Sequence, residues 1–146
     1  MTEQMAISYD LLCKALITLQ ESFDVTKKAQ KLDDASLLLA TQDSTIQRFK
    51  YSYDSFWKFV KRYLEKFLDI QENINSPKSV FRTMIKLNLC SPQEGETLLA
   101  MADDRNITSH NYSIEEVRKI LPNIPHYYAC MTKILAQLEQ KIDSPL

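Results

Sequence analysis

Large apolar residues recur along this chain at steps of three and four, the spacing that returns to one face of an α-helix. In residues 5–23 the members of this stripe are Met5, Tyr9, Leu12, Leu16, Leu19 and Phe23. The pattern predicts one amphipathic helix there. Residues 24–42 are less regular, with solvated lysines followed by the apolar run 37–40, and predict only a short helix.

A second, longer apolar stripe predicts a long helix that begins at Asp43 and Ser44, which look like its N-terminal cap residues. Its apolar positions are Ile46, Phe49, Tyr53, Phe56, Trp57, Val60, Leu64 and Phe67. Such a seam is typical of a core helix in a bundle. The opposite face carries the cations Lys50, Lys58, Lys61, Arg62 and Lys66. The simpler interpretation of this face is solvation, and the functional one, for Lys58, Lys61 and Arg62, is a weak surface for RNA or an acidic partner.

Capping residues and prolines divide the second half of the chain. Ser76 before Pro77 predicts a sharp helix start, with an end at Asn88 or Cys90. The segments 91–94 and 113–116 both read as capping boxes, and the helix opened by the first runs into Asp103-Asp104-Arg105.

The helix opened by the second box is predicted to extend through Leu121, where Pro122 and Pro125 interrupt it. A last helix is predicted over residues 126–142. The sequence therefore predicts one all-α domain, residues 1–146, folded as an up-and-down bundle of five to six helices.

Composition excludes several functions. Gly95 is the only glycine in 146 residues, so a glycine-rich phosphate loop is not available. The net charge of −1 gives no overall electrostatic footprint for nucleic acid, and any RNA contact must be local. Cys13, Cys90 and Cys130 are far apart and form no CxxC pair, which argues for reduced thiols and against a zinc site.

No metal or cofactor is expected from this sequence. An acidic N-terminus without a long apolar run predicts no signal peptide, and no stretch approaches 18 apolar residues. The expected location is the cytoplasm, away from the membrane.

The chemistry is concentrated in residues 105–112, Arg-Asn-Ile-Thr-Ser-His-Asn-Tyr. Arg105 can hold a phosphate with a two-pronged donor, and His110 can move a proton near neutral pH. Together they are a minimal set for phosphate-ester chemistry without a metal. On a continuous helix, however, Arg105 and His110 would lie about 140° apart. A working pair needs a bend at Thr108-Ser109, or a second copy of the chain that supplies the other half.

Structural interpretations of the same residues stay open. Arg105 could pair with Asp103, Asp104 or a distant carboxylate, and His110 could satisfy helix-terminal carbonyls. Tyr112 precedes the cap residue Ser113 and could pack on the following helix. The other histidine, His126, fits a helix start, and no spacing requires it to reach the cluster.

The cluster resembles the signature of HEPN-domain proteins, in the branch called nucleotidyltransferase substrate-binding proteins. The residues that carry the resemblance are Arg105-Asn106, Thr108-Ser109-His110 and Tyr112, with Ile46–Tyr51, Trp57-Lys58, Tyr63-Leu64 and Ser76-Pro77-x-x-Val80 upstream. Lys50 departs from the acidic residue usual in that family, and the segment before Asp43 is longer. Neither departure is expected to touch the Arg/His cluster.

The resemblance implies a dimerising helical bundle encoded beside a small nucleotidyltransferase, in some pairs as a toxin that is a metal-independent endoribonuclease. It implies Arg105 and His110 as catalytic residues, with Asn106 orienting the phosphate or His110. Tyr112 is then the tyrosine that the nucleotidyltransferase antitoxin adenylylates to silence the toxin. Two other classes stay open: a non-catalytic partner subunit of the nucleotidyltransferase, and a purely structural bundle.

Overall fold

The computed structural model describes residues 1–109 and 111–144, and these residues fold into six α-helices. The helices are α1 (Glu3–Lys31), α2 (Ala35–Arg62), α3 (Pro77–Lys86), α4 (Pro92–Ile107), α5 (Ile114–Arg118) and α6 (Ile124–Asp143). A π-helical turn, Tyr63–Phe67, extends α2, and a 3₁₀ turn, Leu121–Asn123, precedes α6. The described residues contain no strand, and the predicted all-α bundle is confirmed.

α1 and α2 are longer than predicted, and Asp43-Ser44 does not open a helix. α1 continues to Lys31, and Asp33 then takes a left-handed conformation with φ 52°. Asp34 starts α2, because its Oδ1 accepts a hydrogen bond from the backbone N–H of Leu37 at 3.0 Å. The solvated residues of this region are adequate helix formers even without an apolar stripe, so only the left-handed residue and the cap interrupt the helix.

The two long helices are antiparallel neighbours. Arg48 donates to the carbonyl of Thr18 at 2.7 Å, and Arg62 donates to the hydroxyl of Ser8 at 3.1 Å. Residue numbers rise along α2 while they fall along α1, which fixes the antiparallel direction. α2 thus presents one side to α1 and leaves its other sides to the core and to α4.

The predicted seam of α2 forms the centre of the core. Its members with at most 8% exposure are Ile46, Phe49, Tyr53, Phe56, Val60 and Leu64. Trp57 is half-buried, and Phe67 is exposed. Phe67 belongs to the π-helical turn, where a wider spacing moves it out of the seam and its ring stacks on Tyr63 with centroids 5.1 Å apart.

The predicted starts of α3 and α4 are confirmed. Ser76 and Ser91 both form reciprocal capping boxes with proline at the next position. α3 ends at Lys86, two residues before the predicted Asn88, which adopts φ 56° as the left-handed residue after the cap. Gly95 permits close packing of α4 on α3, because a Cβ there would lie 2.7 Å from Cγ1 of Ile85.

The junction between α4 and α5 differs from the prediction at both ends. α4 runs one turn past Asp104 to Ile107, so Arg105 and Asn106 are helical. Thr108 ends α4 and α5 begins at Ile114, so the helix is interrupted at Thr108-Ser109, where the sequence requires a bend. α5 ends at Arg118 and does not reach Leu121.

The remaining sequence expectations concern thiols and membranes. Cys130 is buried, whereas Cys13 and Cys90 are half-buried, and all three are free. Burial raises the pKa of the Cys130 thiol to about 12, which keeps it protonated and unreactive at neutral pH. Within the described residues, none of the helices combines the length and apolar character that crossing a membrane requires.

Candidate functional site

The guanidinium of Arg105 connects the last turn of α4 to α2. Its Nη2 lies 3.3 Å from Oδ2 of Asp54, and its Nη1 donates to Oγ1 of Thr108 at 2.9 Å. Thr108 in turn donates to the backbone carbonyl of Arg105 at 2.6 Å. The Arg105 side chain keeps 24% exposure, so it is held in one place and still reaches solvent. Of the open pairings, the distant carboxylate is the one observed.

An aromatic ring forms a further wall of this site. The guanidinium carbon of Arg105 lies 6.0 Å from the ring centroid of Tyr53, at the outer limit of a cation–π contact. Burial raises the pKa of the Tyr53 phenol well above its ordinary value, the charge of Asp54 raises it further, and Arg105 opposes both. Tyr53 is therefore a neutral phenol at physiological pH. The Nε of Arg105 is buried and has no hydrogen-bond partner within residues 1–109 and 111–144.

Part of the predicted basic surface lies on the same face of α2 as Asp54. Lys50, Asp54, Lys58 and Lys61 follow one another at steps of four, four and three, which keeps them on one face. Lys58 is exposed, and Lys61 donates to the side chain of Asn75 at 2.9 Å. Lys58 and Lys61, two of the three predicted surface cations, therefore lie on the same face of α2 as Asp54, which pairs with the Arg105 guanidinium.

Arg62, the third predicted surface cation, lies apart from them. It points across α1 to Ser8. The basic face of α2 is thus divided between the site and the α1 side of the bundle.

A cleft of about 230 Å³ lies beside this site, and we call it the Tyr112 cleft. Its lining residues come from α2 and from the α4–α5 region: Asp43, Ile46, Gln47, Lys50, Thr108, Tyr112, Ile114, Val117 and Arg118. Tyr112 is 45% exposed, so the residue reaches the surface of the protein. Thr108 lines the cleft and also accepts from Arg105, which makes the cleft and the Arg105 site neighbours.

Lys50 lines this cleft. It shares the lining with Thr108 and Tyr112, two residues of the cluster. The family departure at Lys50 therefore changes the charge next to the candidate site.

A second arginine closes the other end of the cleft. Nη2 of Arg118 lies 3.1 Å from Oδ1 and 3.4 Å from Oδ2 of Asp43, an ion pair between α5 and α2. The Nε of Arg118 is buried and, like that of Arg105, lacks a hydrogen-bond partner in the described part of the chain. The Asp43 pair thus connects α5 to α2, and Val117 of α5 also packs against the core.

The other predicted site residues stand as follows. Asn106 is exposed in the last turn of α4, one residue after Arg105. His110 lies outside the described residues. The ring Nε2 of His126 lies 3.3 Å from the hydroxyl of Thr97, eight residues before Arg105 and about 12 Å away along the axis of α4. His126 is therefore not part of the Arg105 cluster.

Sequence reasoning missed Asp54 and Arg118 as parts of the site. Asp54 is separated from Arg105 by 51 positions, and no spacing rule pairs residues that far apart. One signal was present: Asp54 is the acidic member between Lys50 and Lys58 on an otherwise basic helix face. A lone carboxylate at such a position is a candidate for holding a cation from another helix.

Comparisons with known proteins agree with this architecture. Residues 8–140 match the family described as nucleotidyltransferase substrate binding protein like. The crystal structure of a protein from Thermus thermophilus superimposes with a TM-score of 0.71 at 33% sequence identity, covering 87% of this chain and 98% of that one. No curated protein matches. Because the family model spans most of the chain, the protein belongs to the nucleotidyltransferase substrate binding protein like family.

Proposed function

We propose that the protein is the HEPN subunit of a nucleotidyltransferase/HEPN toxin–antitoxin pair and acts as a metal-independent endoribonuclease. The observation that supports this most is the preorganised Arg105, held by Asp54 and Thr108 yet open to solvent at the end of α4. A fixed, accessible guanidinium beside a chain reversal is what a phosphate-binding site needs. The sequence supplies His110 within that same reversal.

The proposed reaction is an internal transesterification of RNA. His110, as general base, removes the proton of a ribose 2′-hydroxyl, whose oxygen attacks the adjacent phosphorus. The bond from phosphorus to the 5′-oxygen breaks, that oxygen takes a proton from water or from His110 acting as general acid, and a 2′,3′-cyclic phosphate remains. Arg105 stabilises the extra negative charge on the phosphoryl oxygens in the transition state, and Asn106 orients the phosphate or His110.

Tyr112 is proposed as the control point. The antitoxin would transfer an adenylyl group from a nucleoside triphosphate to the Tyr112 hydroxyl, with release of pyrophosphate. The new phosphodiester would lie near Arg105 and compete with the substrate phosphate. The exposure of Tyr112 and the shared contact residue Thr108 support this proposal.

We also infer a homodimer in which the ends of α4 face each other. Two copies arranged this way would frame one RNA-sized cleft and bring Arg105 of one copy near His110 of the other. Sedimentation of the purified protein tests this inference, because a monomer at micromolar concentration would contradict it.

RNA cleavage in the presence of EDTA tests the nuclease activity. The native chain should cleave a mixed-sequence RNA, and His110→Ala should lose cleavage by at least about 10²-fold, the usual contribution of general acid–base catalysis. His126→Ala is the matched control and should keep native activity, since His126 contacts Thr97 and not the cluster. Equal cleavage by the native chain and His110→Ala would refute the nuclease.

The second candidate is a non-catalytic partner subunit of a nucleotidyltransferase. The family description and the net charge of −1 favour it, because the chain offers no overall electrostatic attraction for RNA. Co-purification with a nucleotidyltransferase encoded next to it, together with no RNA cleavage and no growth arrest on expression, would select this candidate. Failure to bind that protein would exclude it.

A further inference from the structure

The Tyr112 cleft carries an excess of positive charge that the described part of the protein does not neutralise. Lys50 and Arg118 contribute +2 and Asp43 contributes −1, which leaves +1 at the cleft. Asp43 is already paired with Arg118, and none of the ion pairs in the described residues includes Lys50. The free charge of Lys50 therefore faces a solvent-accessible concavity.

The cleft also presents hydrogen-bond donors suited to an anion. Lys50 and Tyr112 line it and can each donate to an anion, whereas the Thr108 hydroxyl already donates to the carbonyl of Arg105 and the Nε of Arg118 is buried. The remaining wall is apolar, with Ile46, Ile114 and Val117. Donors of this kind around a cationic concavity favour a phosphate group over a neutral or cationic ligand.

The size of the cleft limits how much of a ligand it can hold. Its 230 Å³ is below the range of about 300–1,000 Å³ typical of pockets that enclose a whole small molecule. A phosphodiester group with part of one nucleoside fits that limit, whereas a complete dinucleotide would extend onto the surface. The exposed face of α2 beyond Lys50, which carries Lys58, gives such an extension a favourable direction.

We propose that the Tyr112 cleft binds a phosphodiester group, with Lys50 and Arg118 as its positive charges. The proposal rests on the proposed function for the source of the ligand, which is either an RNA strand or an adenylyl group carried by Tyr112. It needs binding only, and no catalysis.

Binding of a 2′-O-methyl hexaribonucleotide to the full chain tests the proposal, since this RNA cannot be cleaved. At low salt, Lys50→Glu should weaken binding at least about 10-fold and reduce the slope of log affinity against log salt by about 1 or more. Asp43→Asn, which removes the negative charge, should tighten binding several-fold. The matched control is Lys27→Glu, the same charge reversal at an exposed position on α1, and it should stay within about twofold of the native chain.

A parallel titration with adenosine monophosphate separates the two sources. Lys50-dependent binding of the RNA alone identifies the strand, and Lys50-dependent binding of the nucleotide alone identifies the adenylyl group. Binding of both supports the shared phosphate site. If Lys50→Glu changes neither affinity by more than twofold while its circular dichroism matches the native chain, the proposal is overturned. A chain that binds in this way but cleaves no RNA would refute the nuclease and leave the phosphate site standing.

Discussion

Replacing Arg105 by lysine keeps a positive charge at the end of α4 but removes the forked guanidinium, whose two terminal nitrogens contact Thr108 and Asp54. In the native chain, Nη1 donates to Thr108 while Nη2 lies 3.3 Å from Asp54. A lysine ammonium is a point charge on a flexible stem and cannot reproduce this planar geometry. The substitution therefore separates the effect of charge from the effect of position.

The expected loss of stability is small. The Arg105–Asp54 pair is partly exposed on both sides, at 24% and 41%, so solvent screening limits its contribution to about 0.2–1 kcal/mol. The hydrogen bond to Thr108 adds about 0.5–1.5 kcal/mol. The combined loss is at most about 2.5 kcal/mol, less than the usual 5–15 kcal/mol of a folded domain, so Arg105→Lys should fold.

The expected loss of activity is much larger. Removing one positioned donor from a developing oxyanion costs about 10²–10³-fold in kcat. We expect that loss for RNA cleavage by Arg105→Lys, with RNA affinity reduced far less because the charge remains. Single-turnover cleavage and urea unfolding should be measured on the same preparations. Arg82→Lys, at an exposed position on α3, is the matched control and should match the native chain in both assays. Cleavage by Arg105→Lys within about threefold of native would refute the positional role of the fork.

Three further substitutions test the scaffold by urea unfolding. The hydrogen bond that Glu94 accepts from the backbone of Ser91 lowers the pKa of the Glu94 carboxyl. The ionised carboxylate therefore stabilises the fold above the ordinary pKa of glutamate, and this stabilisation is lost as pH falls through the native pKa. Glu94→Gln should destabilise the protein at pH 7 and not in strong acid, and an equal effect at both pH values would contradict this. Gly95→Ala should lower the free energy of unfolding by about 1–2 kcal/mol, because the added methyl group meets the Ile85 side chain. In an Ile85→Ala background, where that side chain is gone, the same substitution should raise the free energy of unfolding, since alanine favours a helix over glycine. A change of the same sign in both backgrounds would contradict the contact. The Tyr127 hydroxyl donates a hydrogen bond of 2.6 Å to the carboxylate of Asp104 on α4. Tyr127→Phe should therefore lower the free energy of unfolding by about 1.5–3 kcal/mol at an unchanged m-value. An unchanged urea midpoint would contradict that hydrogen bond.

The sequence predicted correctly those helix starts that are set by residues adjacent in the chain. Ser76 and Ser91 opened α3 and α4 because a cap and a following proline act within four residues. The start of α2 was missed because Asp43 is also a residue type that caps helices, whereas the cap that begins α2 is Asp34, after the left-handed Asp33. Arg118 pairs with Asp43 across 75 positions, which turns an apparent cap into the docking point of another helix.

The difference between signals that are adjacent in sequence and contacts that form only on packing also separates the predicted and the unpredicted parts of the candidate site. The eight-residue cluster was found because its chemistry is contiguous in sequence, and its need for a bend followed from the angle of about 140° between helical positions five apart. Asp54 could not be found this way, because it reaches Arg105 only after α2 and α4 pack. The position of Lys50 beside Thr108 and Tyr112 likewise depends on how α2 packs against the α4–α5 region.

The end of α4 therefore determines where Tyr112, the proposed control residue, lies relative to Arg105, the proposed phosphate-binding residue. If α4 ended at Asp104, Arg105 would lie in the loop and its pairing with Asp54 would not be fixed by helical geometry. Because α4 reaches Ile107, Thr108 caps the helix, contacts Arg105 and lines the Tyr112 cleft at once. Under the proposed function, a charged group added at Tyr112 would therefore lie in the cleft that Lys50 lines and next to the Arg105 site, because Thr108 belongs to both. The proposed modification would then alter substrate binding without any rearrangement of the bundle core.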